Sequence, residues 1–210
     1  IMGMTDLLAQ TDLSIEQQNL ASTVYSESES LLCVINDILD FSKIEAGRLE
    51  IEQIDFDLRH TLENLCAVLA ASADKKGIEL IHYLDPKAPI RLIGDPTRLR
   101  QVFVNLIGNA VKFTHEGQVM VKGELIQKFE QKAGFRFVVE DAGNRILADK
   151  PERIFDYSSK TGASTTLRHG DTGLGFTIAK RLVEKMGGRI GIFSEPDRGP
   201  CFWFEVELFR

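Results

Sequence analysis

The sequence predicts an α+β fold in two parts: a helical hairpin, then an α/β sandwich that carries its helices on one face of a mixed sheet. Three observations predict it. Apolar residues recur at helical spacing through a long opening stretch, and the rest of the chain mixes strand-like and helical runs with no repeating βαβ alternation. In addition, no apolar run approaches the ~20 residues that a membrane-spanning helix requires.

Residues 1–8 are apolar with helical periodicity and stop at the polar break Ala9-Gln10-Thr11-Asp12. Ser14 and Gln17 then have capping-box spacing, and Ile15, Leu20, Val24, Leu31, Ile35, Ile38 and Ile44 recur at helical intervals as far as Gly47. A helix of that length is well beyond the ~11–12 residues typical of globular proteins. Preceded by a short turn and another helix, it predicts an antiparallel hairpin whose apolar stripe pairs with a second copy. Residues 49–56 read as a short extended connector, which places the boundary at 49–55 and divides the chain into domains 1–48 and 49–210.

Helical periodicity returns over 57–74 through Leu58, Leu62, Leu65, Val68 and Leu69, and Lys75-Lys76-Gly77 ends it. Strand-like runs follow at 78–84 and 90–93. Asp95 is positioned to cap a helix over 96–113, with Pro96 at its first position. Strands are expected at 118–127 and 134–140, a short helix at 148–155, a polar stretch at 158–171, a helix at 174–186, and closing strands at 189–194 and 201–208.

Composition narrows the function. A net charge of −6 and a pI near 5.3 argue against a nucleic-acid surface, so any anion must be held locally. Cys33, Cys66 and Cys201 are odd in number, widely spaced and set in apolar stretches, the pattern of buried thiols in a reducing compartment. No basic-plus-apolar leader opens the segment, which reads as cytoplasmic, any membrane anchor lying outside it.

The chemistry-bearing residues fall in three places. Asn105, Asn109 and Lys112 stand at i, i+4 and i+7 on one helical face, where amide oxygens suit Mg²⁺ and an ammonium suits phosphate; the plainer reading of such a stripe is a solvated face. Asp141-Ala142-Gly143 follows a strand, where a carboxylate can accept a hydrogen bond from an exocyclic amine and Gly143 lets a planar ligand approach; alone, the motif is usually a turn. Gly170-Asp171-Thr172-Gly173-Leu174-Gly175 opens a helix, leaving backbone N–H groups to face phosphate, although a glycine turn needs no ligand. The polar stretch before it has the composition of a lid.

Together these residues resemble the sensor histidine kinases. Asp95-Pro96-Thr97-Arg98-Leu99-Arg100-Gln101 with Asn105, Asn109, Lys112 and Phe113 is similar to their N box. Asp141-Ala142-Gly143 falls at the G1 box, Ile154-Phe155 at the F box, and residues 170–175 at the G2 box; 194–199 leading into Phe202-Trp203-Phe204 resembles the closing turn and strand. Residues 35–47 are very similar to the end of the second dimerisation helix of hybrid kinases.

The resemblance spans essentially the whole chain. It implies a Bergerat, or GHKL-type, sandwich that binds ATP and Mg²⁺, with Asn105 and Asn109 serving the metal and phosphates, Asp141 reading the adenine amine, and Gly173 and Gly175 cradling phosphates. It also implies a homodimer formed by the hairpin as a four-helix bundle, a response-regulator receiver domain as partner, and autophosphorylation of a histidine followed by phosphorelay.

The chain departs from the pattern at three points. No histidine is followed by an acidic residue and then Thr-Pro or Asn-Pro; the resemblance puts the acceptor roughly two and a half turns before Ile1. Arg145 and Leu147 replace the second glycine and the usual proline of the G1 box. Tyr157 and Ser158 replace Pro and Phe in the F box, removing an apolar anchor of the lid. These changes motivate a second reading, a degenerate module acting through dimerisation or scaffolding. A third, a chaperone or topoisomerase relative, is disfavoured by the long hairpin helix.

Overall fold

The computed structural model describes residues 1–141, 174–194 and 200–210. The chain divides into two compact units, Ile1–Leu49 and Glu50–Arg210.

The first unit is a helical hairpin. Helix α1 spans Met2–Ala9 and α2 spans Ile15–Glu45, and the two pack together. The expected capping box is formed: the Ser14 hydroxyl accepts the Gln17 N–H at 3.3 Å, and the Gln17 side chain accepts the Ser14 N–H at 2.9 Å. This satisfies two of the donors that a helix start leaves orphaned. Leu20, Leu31, Ile35 and Ile38 of α2 are exposed in the single chain.

Among the described residues, the second unit is a seven-stranded sheet with three helices on one face. Its elements are β1 (Ile54–Asp57), α3 (Leu58–Asp74), β2 (Glu79–Leu84), β3 (Arg91–Gly94), α4 (Pro96–Phe113), β4 (Gln118–Lys128), β5 (Lys132–Asp141), α5 (Leu174–Lys185), β6 (Arg189–Ser194) and β7 (Pro200–Phe209). The strand order is β1-β3-β7-β5-β4-β2, with β6 also paired to β7; β2 runs parallel to β4, and the other pairs are antiparallel.

Alternate residues of β5 and β7 face the helices. Phe135, Phe137 and Val139 on one strand, and Phe202, Phe204 and Val206 on the other, are buried with Leu99, Phe103, Leu106 and Ile107 of α4. Phe103 packs edge-on to Phe137 and Phe204, with ring centroids 5.0 and 5.1 Å away. This aromatic cluster clamps α4 across the middle of the sheet.

One expectation changes. Part of the stretch read as a connector is a strand: β1 pairs antiparallel with β3, Phe56 opposite Leu92. Its alternation Ile-Asp-Phe-Asp has the two-residue period of a strand, but the partner lies well downstream, beyond what local periodicity reports. The short helix expected at 148–155 and the polar stretch at 158–171 lie outside the described residues.

Candidate nucleotide site

Helix α4 positions the site, and its start is firmly anchored. Asp95 is 3% exposed and caps the helix: Oδ1 accepts the Arg98 N–H at 2.9 Å, and Oδ2 accepts the Glu52 N–H at 3.1 Å. At the other end the Lys76 ammonium donates to the carbonyls of Val111 (2.9 Å) and Lys112 (2.7 Å), satisfying C-terminal acceptors with a positive charge where the helix dipole favours one.

Asn105 and Asn109 are half-buried on this helix. Helix α5 packs against α4, and its first turn brings Gly175 to Asn105: a Cβ added there would lie 3.3 Å from Asn105 Oδ1. A side chain at residue 175 would press on the amide, which would have to give by a few tenths of an ångström. Asn105 Nδ2 is buried and has no hydrogen-bond partner among the described residues. Buried donors are nearly always satisfied, which makes this amide an exception among the described residues.

Asp141 closes β5, 4% exposed. Its Oδ1 lies 2.7 Å from the hydroxyl of Thr114, the C-cap residue of α4. Thus α4 meets the glycine-led start of α5 at Asn105 and holds the strand-end carboxylate through Thr114. Lys112 is half-buried and also lines a cavity of about 190 Å³ between α3 and α4, with Leu69, Ser72, Lys76, Gly108 and Val111. Gly143, Arg145, Ser158, Gly170, Thr172 and Gly173 lie outside the described residues, as does the Leu174 side chain. Sequence reasoning passed over Thr114; its only signal was a hydroxyl residue at a helix end.

Burial pushes the Cys66 thiol up to about 11, which leaves it an inert apolar filler. Among the described residues no group of three or more His, Cys, Asp and Glu is placed to hold a metal, and no helix is long and apolar enough to cross a membrane.

Residues 94–210 match the model of the histidine kinase-, DNA gyrase B- and HSP90-like ATPases, and the chain belongs to that family. Residues 1–47 match the His Kinase A (phospho-acceptor) domain.

Among particular proteins, the chain is 40% identical to the sensor protein GacS of Pseudomonas syringae pv. syringae and to the signal transduction histidine-protein kinase BarA of Escherichia coli K12. Each match is over 208 residues, covering 99% of this chain and 23% of the relative. The chain therefore spans about a quarter of the length of these relatives. The crystal structure of full-length ShkA in complex with AMPPNP superposes with a TM-score of 0.75 at 31% identity, covering 98% of this chain and 42% of that one. Helices followed by a mixed α/β sandwich are thus the histidine kinase architecture.

Proposed function

We propose that this chain is the dimerisation and ATP-binding core of a hybrid sensor histidine kinase, with domains 1–48 and 49–210. It phosphorylates a histidine carried outside these residues and relays the phosphate to a receiver aspartate. The observation that carries the reading is the orphaned Asn105 amide, buried beside Gly175 on the helix that also holds Asp141. The donor set suits a magnesium nucleotide: carboxamides for the metal, a carboxylate for an amine, and N–H groups at a helix start for phosphate.

In this reading Asn109, with Asn105, serves Mg²⁺, and Lys112 adds charge for the phosphates. Backbone groups of Gly170, Thr172, Gly173, Leu174 and Gly175 receive phosphate oxygens; Asp141 accepts from the adenine amine, and Gly143 leaves room for the ring. ATP, when bound with Mg²⁺, supplies the phosphoryl group, so the protein contributes positioning and charge neutralisation. No histidine occurs within residues 1–47, so the acceptor in this reading is a histidine outside them. The exposed apolar residues of α2 are covered by the same face of a second copy. The segment acts in the cytoplasm, and any anchor of the parent protein lies elsewhere.

Titration of the purified chain with a fluorescent ATP analogue and Mg²⁺ tests this, with saturable binding below millimolar nucleotide as the expected result. The substitutions at Arg145 and Ser158 favour a second reading, a dimeric scaffold with impaired nucleotide binding. No saturation in the parent chain, with binding gained in Arg145→Gly, would establish that second reading.

A further inference from the structure

We infer that Thr114 is a positioning residue for base recognition: its buried hydroxyl sets the plane of the Asp141 carboxylate and thereby tunes selectivity for a purine carrying a 6-amino group. The inference rests on the reading of Asp141 given above.

The geometry is specific. Thr114 is wholly buried at the point where the backbone leaves α4 for an extended conformation. Its N–H donates to the Ala110 carbonyl at 2.9 Å, and its Oγ1 lies 2.8 Å from that carbonyl and 2.7 Å from Asp141 Oδ1. A hydroxyl has one hydrogen to give. The carbonyl already accepts a backbone N–H, whereas an ionised carboxylate is the stronger acceptor, so the hydrogen goes to Asp141.

That bond matters because the terminal torsion of an aspartate is soft and roughly two-fold, so hydrogen bonds rather than rotamer preference determine the carboxylate's plane. Recognition of an amine by a carboxylate depends on that plane. The link also ties two ends of the site together, since Thr114 ends the helix that carries Asn105 and Asn109 while Asp141 ends β5. A valine at residue 114 keeps the shape and loses the donor; a serine keeps the donor and loses a methyl.

The test compares the whole chain with Thr114→Val and Thr114→Ser, titrating each with Mg-ATP and with the triphosphate of purine riboside, which lacks the 6-amino group. We expect Thr114→Val to lose about tenfold in ATP affinity, with the amine-free nucleotide unchanged within about twofold and Thr114→Ser retaining the parent ratio. Because the ratio of two affinities on one sample does not depend on how much of it is folded, a partly unfolded variant still reports. Equal loss for both nucleotides, or an unchanged ratio in Thr114→Val, overturns the inference. If the parent chain binds both nucleotides equally well, or neither, the reading of Asp141 itself fails and the inference goes with it.

Discussion

A single buried carboxylate at Asp95 ties the helix that carries the site to the chain that precedes β1, through the N–H groups of Arg98 and Glu52. Asp95→Ala strands both donors, and we expect a loss of about 2 kcal/mol in urea unfolding of the second unit. Gly175 works differently, since its contact is with Asn105 and not with the core. Gly175→Val should weaken nucleotide binding by about tenfold or more while moving the unfolding midpoint less than Asp95→Ala does, because the group it presses on is the end of one side-chain amide. Fluorescence titration beside a thermal melt separates the two effects. At this scale the sequence was informative about type and poor about partnership. Asp95 announced itself as a cap from its place before Pro96, but its hold on Glu52, like the grip of Thr114 on Asp141, joins residues distant in sequence and has no local periodicity to betray it.

Among elements, the helices were readable because each repeats its apolar positions on one face, and the capping box of α2 lay open in Ser14 and Gln17. Strand β1 was not, because a four-residue strand is defined by its partner β3. Two predictions belong here. Ile35→Glu with Ile38→Glu, both exposed in the single chain, should convert a dimer to a monomer in sedimentation, whereas an unchanged mass would place the self-association elsewhere. The second concerns three strands joined by one carboxylate. Glu205 of β7 accepts Arg136 Nε of β5 at 2.8 Å and Arg189 Nη2 of β6 at 2.6 Å. Burial opposes its ionisation, but the two guanidinium groups prevail and hold its pKa below the usual carboxylate range. A depressed folded value means that the contribution is complete above the unfolded carboxylate pKa and is lost as pH falls through the folded one. Glu205→Gln should therefore flatten the acid limb of stability against pH below about 4.3, the ordinary glutamate value, and have less stability to lose there.

For the whole molecule, the two units divide the work as their surfaces suggest: a hairpin with an exposed apolar face that calls for a second copy, and a sandwich whose central helix gathers an orphaned amide, a glycine contact and a held carboxylate. The residue types were legible from chemistry, since amides, glycines and a carboxylate suit a metal-bound nucleotide, while their order along the chain was legible from the resemblance to the sensor histidine kinases. Their meeting on α4 was not, because it depends on Phe103 seating that helix across β5 and β7. The most direct measurement is a backbone amide NMR titration of the chain with Mg-ATP. The account predicts that Asn105, Asn109, Asp141 and Gly175 shift together with one dissociation constant. Shifts confined to the hairpin or to the cavity between α3 and α4, or no shifts at millimolar nucleotide, would contradict it.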